Sequence, residues 1–336
     1  MDGEEEFEVA QVLYSRRERT NHKIDFSNHT ATSEFIIVGF PNLEKIRVAV
    51  FVLVLIIYSF TVMGNMVIIF ITRYEPSLRT PMYFFLCHFS LLEICFTSVT
   101  VPTILADLIK EKNVVSFSSC LAQIYFFHAF GGIECLLLAA MAYDRYVAIR
   151  SPLRYNTIMT SVVCGHLATW SWVSGLSLPL IPVILISQLN YCGSNVVDHF
   201  FCDILPLLRL VCNRTQLNVM LSFFICSFIL VGSFLLTVVS YAAILITVLG
   251  IHSSKGRKKA FSTFASHLVV VVIFYGTMMF IYVRPTRNLS FNMDQLVSVF
   301  YCLVTPLLNP IIYSLRNKDV KEALKKVVCR KHGEQK

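Results

Sequence analysis

"ECLLLAAMAYDRYVAIR", residues 134–150, decides how the rest of the chain is read. An acid opens the stretch, an apolar run follows, and Asp144, Arg145 and Tyr146 arrive together before Val147–Ile149 resume the apolar pattern. A charge pair at the edge of a hydrocarbon-like segment is costly, so it belongs where it faces protein rather than lipid. Glu134 and Arg145 stand eleven residues apart, almost three whole helical turns, and so point to one side of a helix. At 1.5 Å per residue the acid lies about 16 Å along the axis from the arginine. Phe127 and Leu138 share that face.

Working outward, the composition explains why such a helix sits in a membrane. The chain is 55% hydrophobic and only 15% charged, where a soluble protein carries about a quarter charged residues. Its charges are gathered into short clusters between long apolar runs, the pattern of a polytopic membrane protein. The net charge of +8 comes from basic residues in the loops flanking those runs, not from one soluble face, which argues against a nucleic-acid partner. The opening residues "MDGEEEFEVA" are acidic where a cleavable signal needs a basic start and an apolar core, so the first span is expected to direct insertion itself.

Seven stretches meet the length of a spanning helix, at about 48–72, 82–106, 121–146, 162–186, 217–249, 261–283 and 293–315. The expected fold is therefore an all-α membrane protein, a seven-transmembrane helix bundle over 46–316. A tail over 1–45 precedes it, and 317–336 forms a short amphipathic helix and cytoplasmic tail. The Lys/Arg-rich segments between spans one and two, after span three, between five and six, and after seven are cytoplasmic by the positive-inside rule. That places the N-terminus outside, at the plasma membrane, with Asn28 of the sequon Asn28-His29-Thr30 as a glycosylation site. Lys318–Val328 reads as a helix lying along the inner lipid surface, with Val320, Ala323, Leu324 and Val327 as its apolar stripe.

Four cysteines fall on the outer side, Cys120 at the start of span three and Cys192, Cys202 and Cys212 in the long loop. An oxidising exterior favours disulfides, and four cysteines allow three pairings. "DHFFCD" (198–203) offers one His and one Cys, short of a metal's usual ligand set, so no metal site is expected there. Inside the bundle, Glu93 of span two joins Glu134, with Asn65 and Asn309 the polar residues best placed beside them. The two acids can share a proton, be neutralised by a cation such as sodium, or each stand protonated as a hydrogen-bonded packing residue. In "TPLLNPIIYSLRN" (305–317), Pro310 removes a backbone hydrogen bond, so a kink beside Asn309 and Tyr313 is expected near the cytoplasmic end.

These features together resemble a rhodopsin-like G-protein-coupled receptor: Gly64-Asn65, the acid of span two, Asp144-Arg145-Tyr146, and Asn309-Pro310 with Tyr313. The strings "PMYFFL" (81–86), "MAYDRYVAI" (141–149), "SY" (240–241), "KAFSTFASH" (259–267), "FYG" (274–276) and "TPLLNPIIYSLRN" narrow the resemblance to the olfactory receptors. The resemblance implies disulfides Cys120–Cys202 and Cys192–Cys212, and an Arg145 held by Asp144 at rest and released toward Tyr241 and Tyr313 on activation. It also implies a heterotrimeric stimulatory G protein as partner, with cyclic AMP as output. The implied pocket for a small hydrophobic odorant comprises Phe127, His128, Gly131, Gly132, Ile225, Ile229, Tyr275, Met278, Met279, Tyr282 and Cys302, with Tyr275 at its floor. No acid lies on span three between Cys120 and Gly132, where aminergic receptors keep an ammonium counterion, which argues against an amine ligand. The chain departs from the family pattern at Glu93, Arg150 and Phe264.

Other functions have less behind them. No nucleophile–base pair, metal set or phosphate-binding loop marks an enzyme, and no cofactor is expected beyond a bound sodium ion. A transporter is expected to show internal repeats with paired broken helices, and only span seven carries a strong proline break. A receptor for a small metabolite outside olfaction is the nearer alternative.

Overall fold

The computed structural model describes residues 33–39, 45–110, 113–191, 195–212, 216–250, 253–282, 291–316 and 320–326. The chain divides into Met1–Ser33, of which only Ser33 is described, and Glu34–Lys336, which holds the bundle. Asn28 and Cys192 lie outside the described residues, as do the side chains of Tyr282 and Tyr313.

Six helices are long and apolar enough to cross a membrane among the described residues: Arg47–Tyr74, Pro81–Ile109, Phe117–Arg150, Ser161–Ser187, Phe224–Leu249 within the longer Gln216–Leu249, and Gln295–Ile312. Ser254–Tyr282 supplies the remaining helix of the bundle, with a shorter apolar stretch at His267–Phe280. The chain thus folds as an all-α, seven-helix multi-pass membrane bundle. Local chemistry fixes the helix starts. Pro81 occupies the first turn of the second helix, where its missing N–H costs nothing. Ser116 and Thr160 cap the third and fourth helices by accepting from the backbone N–H of Ser119 and Val163.

The third helix is the axis of the bundle. Within its most apolar window 72% of residues are buried, against 22% in the first helix, whose Val52, Ile56, Phe60 and Met63 face outward. That difference is expected when lipid solvates one side of a peripheral helix and protein surrounds a central one. Gly175 of the fourth helix makes the crossing with the third possible, since a Cβ there would lie 2.8 Å from the Ile133 backbone nitrogen. Gly64 plays the same part for the first and seventh helices: a Cβ would meet the Pro310 ring at 3.2 Å.

Two irregularities in the helices add to the expectation. The fourth span is interrupted at Leu178–Pro179, between the helices Ser161–Ser177 and Leu180–Ser187, so span seven is not alone in carrying a break. Pro310 lies inside the helix Thr305–Arg316, and a π-turn at Phe300–Val304 precedes that helix. A wider turn there absorbs the extra residue and turns Tyr301 and Cys302 into the core.

The other difference lies at the end of the bundle that carries the Cys120–Cys202 disulfide. Glu34–Ile37, within the stretch expected to be tail, is the central strand of a three-stranded sheet. It pairs antiparallel with Asn113–Ser116 and parallel with Val196–Val197. Phe35 and Ile37 point inward and are buried, as the period of two requires, while Glu34 faces out. They pack with Ile124, Ile186, Val197 and Leu207 into a second apolar cluster around the disulfide. At the opposite end, residues 320–326 form a helix with Val320 and Ala323 buried, and Lys326 pairs with Glu75 at 3.6 Å.

Cys212 is also disulfide-bonded, and the bridge between Tyr191 and Val211 draws the two flanks of that loop together. Burial pushes the Tyr191 hydroxyl above its ordinary range, and it donates to the Ile186 carbonyl at 2.8 Å. Because Cys120–Cys202 closes a loop of 82 residues over this cluster, its loss costs about 2–5 kcal/mol. Cys202→Ser is therefore expected to fail in surface delivery, measured by cell-surface antibody staining against total protein.

Candidate functional site

Phe127, His128, Gly131, Gly132 and Cys135 follow one face of the third helix and open onto a cavity of about 130 Å³. Ile225, Cys226, Ser227, Ile229 and Leu230 of the fifth helix form the facing wall. Met278 closes one side, Tyr301 lies at the bottom, and Pro179 with Ile204, Leu205 and Leu208 covers the top. The break at Pro179 and the short helix Ile204–Leu208 together make that cover. Two adjacent glycines leave the third helix without side chains just where the space is; a Cβ on Gly131 would sit 3.5 Å from the Tyr301 hydroxyl.

Seven of the residues expected at a pocket therefore line this cavity: Phe127, His128, Gly131, Gly132, Ile225, Ile229 and Met278. Tyr275, Met279 and Cys302 do not. Tyr275 is buried deeper, its hydroxyl donating to the Cys135 carbonyl at 3.3 Å, and Cys302 is turned into the core by the π-turn. Met279 is one helical step off the face that Met278 presents, and is half-buried. Pro179, Ile204, Leu205, Leu208, Cys226, Ser227 and Tyr301 were not singled out by sequence. Helical spacing from Phe127 reveals nothing of residues on a loop or on the far helix.

Below the cavity the polar residues form a descending chain. Tyr301 packs against Phe96 and Phe127, with ring centroids 5.1 and 6.0 Å away, and its hydroxyl donates to Glu134 Oε2 at 3.3 Å. Glu93 lies within electrostatic reach of Glu134 and accepts from the Asn309 amide. Asn65 is buried, and its amide donates to the Thr61 carbonyl one turn back in its own helix at 3.0 Å. Glu93 Oε2, Glu134 Oε1 and Thr305 Oγ1 are buried with no hydrogen-bond partner among the described residues.

At the far end Arg145 Nε and Nη2 both donate to Asp144 Oδ2, at 3.0 and 2.5 Å. The other carboxylate oxygen accepts from the Tyr155 hydroxyl at 2.7 Å. Tyr155 begins a short helix, Tyr155–Ile158, after the third span, and burial followed by the Asp144 charge holds its hydroxyl well above the ordinary range, so it stays a donor. Tyr146 is half-buried on the neighbouring face and packs on the core. Tyr241 is hydrogen-bonded to His267, their rings stacked 5.9 Å apart, both within reach of the Arg145 charge. Tyr155 and His267 went unmarked in the sequence, although His267 ends the string "KAFSTFASH".

A seven-helix bundle with an apolar cavity at one end and an arginine paired with its neighbouring aspartate at the other is the architecture of a rhodopsin-like receptor. The crystal structure of squid rhodopsin superposes with a TM-score of 0.66 over 83% of this chain and 80% of that chain, at 18% identity, which speaks for the fold alone. The family follows from sequence. The olfactory receptor family model matches residues 53–331. Olfactory receptor 6N1 of Homo sapiens is 46% identical over 91% of this chain and 98% of its own length. Olfactory receptor 11L1 of Homo sapiens is 47% identical over 91% and 95%, and olfactory receptor 5AR1 of Mus musculus 46% over 92% and 99%. The chain belongs to the olfactory receptor family of G-protein-coupled receptors, which are signalling receptors for small molecules and not enzymes.

The Tyr155–Asp144 contact can be tested apart from signalling. Tyr155→Phe removes one charge-assisted hydrogen bond at a half-exposed position and is expected to cost about 1 kcal/mol. The check is thermal unfolding of the purified protein, where a small fall in Tm without loss of helix content is expected.

Proposed function

We propose that this receptor binds a small, largely apolar odorant in the cavity between its third and fifth helices and activates a stimulatory G protein, raising cyclic AMP. The observation that carries the reading is the continuous path from cavity to lock: Tyr301 touches both the cavity and Glu134, and Glu134 shares its helix face with Arg145. A ligand that shifts Tyr301 acts on the same rigid helix that ends in the arginine. By this reading the Asp144–Arg145–Tyr155 cluster is the resting state, and ligand favours a state in which Arg145 is free to meet the G protein. The ligand-contacting set is the seven expected residues that line the cavity, together with Tyr301, Ile204 and Leu208.

The same reading sets the receptor in the plasma membrane with its N-terminus and disulfide end outside, Asn28 glycosylated, Cys212 paired with Cys192, and the basic helix at 320–326 against anionic lipid. Basic residues on the Arg145 side of the bundle support that orientation. Glu93, Glu134, Thr305 and Asn309 fit a sodium ion: they offer hard oxygen donors, three with an orphaned buried atom, and two carboxylates whose mutual repulsion a cation relieves.

Two experiments follow. Arg145→Ala is expected to reduce odorant-stimulated cyclic AMP to background in a reporter assay against a chemically diverse panel, with surface expression retained; a normal response from a well-expressed mutant refutes the mechanism. For the cation, replacing choline by sodium in the buffer is expected to raise Tm by about 1–2 °C, the shift that one kcal/mol of ligand stabilisation gives at this size. Glu134→Gln should abolish that difference.

A further inference from the structure

Arg150 departs from the family pattern and has no part in the proposed mechanism; it stands beside Ser151 where the third helix gives way to a turn. The chain there reads Arg150-Ser151-Pro152-Leu153-Arg154. Ser151 closes the helix Phe117–Arg150 and has already left it, with φ −137° and ψ 60°. Its N–H donates to the Val147 carbonyl at 3.0 Å, and its carbonyl accepts from the Arg154 N–H at 3.0 Å. Its hydroxyl makes no hydrogen bond among the described residues, whereas Ser116 and Thr160 commit theirs to helix caps. Arg150, Pro152 and Arg154 are exposed, and Leu153 is 99% exposed. Neither arginine is paired with an acid among the described residues. The 3₁₀ turn Pro152–Arg154 is only three residues long, so the segment can be drawn into a partner's cleft without unwinding the third helix.

We propose that Ser151 is a phosphorylation site for a proline-directed serine/threonine protein kinase. This rests on the Arg145 end of the bundle being cytoplasmic, where such kinases and ATP are found. Proline after the acceptor removes a backbone N–H. It therefore suits a cleft with no acceptor at that position, where any other residue leaves a desolvated N–H unpaired. Arg154, three residues beyond the serine, brings a guanidinium to the anionic groups that select basic substrates. In the transfer, Ser151 Oγ bonds to the γ-phosphorus of ATP, the bond from that phosphorus to the β–γ bridging oxygen breaks, and ADP leaves. The hydroxyl proton passes to the aspartate of the kinase's catalytic loop. The product places a charge of about −2 between Arg150 and Arg154. An exposed basic turn beside the Asp144–Arg145–Tyr155 cluster thereby becomes nearly neutral. The sequence holds two other hydroxyl–proline pairs, Thr80-Pro81 and Thr305-Pro306, and neither offers this geometry. Pro81 begins the second helix and the residue three beyond Thr80 is the buried Tyr83, while Thr305 is itself buried.

The test incubates the purified full-length receptor in nanodiscs with a cyclin-dependent kinase, its cyclin, magnesium and ATP, and locates phosphate by mass spectrometry of the digested protein. Phosphate is expected on Ser151 and not on Thr80 or Thr305. Pro152→Ala and Arg154→Ala are each expected to lower the initial rate about tenfold, the factor that one unpaired N–H or one lost charge-assisted bond supplies. Both substitutions lie on the exposed turn, and helix content by circular dichroism is read alongside to show that the bundle is intact. Ser151 left bare, modification seen only after the receptor has been denatured, a rate indifferent to either substitution, or phosphate on Thr80 at a comparable rate overturns the proposal. Failure of the orientation is seen separately, because the kinase reaches both faces of a nanodisc. In that case a C-terminal epitope tag stains on intact cells, where the cytoplasmic reading requires permeabilisation.

Discussion

Arg145 and Asp144 are buried at the end of a helix that is otherwise apolar, and much of the bundle is arranged to make that burial tolerable. An isolated guanidinium or carboxylate in a low-dielectric interior is strongly disfavoured; together, with Tyr155 on the spare oxygen, they satisfy one another. The requirement propagates. Tyr155 is brought to Asp144 by a short helix after the span, and Tyr241 turns to His267 on the neighbouring side. Loss of any one partner in such a cluster leaves a buried charge unsatisfied, which holds the group to its arrangement.

Glu134 and Glu93 follow the same constraint at mid-bundle, with a different outcome. Each has one oxygen satisfied, by Tyr301 and Asn309 respectively, and one left over. Tyr301 reaches Glu134 from a π-turn, a wider winding that aims its ring between Phe96, Phe127 and Phe274. That irregular segment joins the aromatic floor of the cavity to the buried acids.

The sequence was legible wherever a contact is dictated by period along one helix. Glu134 and Arg145, Phe127 and Leu138, and the apolar runs of the spans are all of that kind. The seventh span was legible only in part. Pro310 stands inside the helix Thr305–Arg316 opposite Gly64, and the π-turn at Phe300–Val304 ahead of it has no periodic signal in the sequence. What could not be read were partners supplied by connecting segments. Asp203, Tyr155 and the strand Glu34–Ile37 act through loop paths that no periodicity encodes. Asp203 is the clearest instance: the third helix has no acid beside His128, and the loop, pinned by Cys202 to that same helix, provides one.

The three-stranded sheet has a consequence for the order in which the molecule is made. Its central strand, Glu34–Ile37, leaves the ribosome before any membrane helix, yet its parallel partner Val196–Val197 is some 160 residues later in the chain, Asn195 reaching back to the Glu34 carbonyl across a separation of 161. Until the fourth helix has been inserted and the long loop delivered, Phe35 and Ile37 have only part of the surface they finally pack against. Contacts so distant in sequence close late and slowly. The cap can thus close only once Val196–Val197 has been made, ahead of the helices from Gln216 onward, and until then the nascent chain carries Phe35 and Ile37 without that strand beside them.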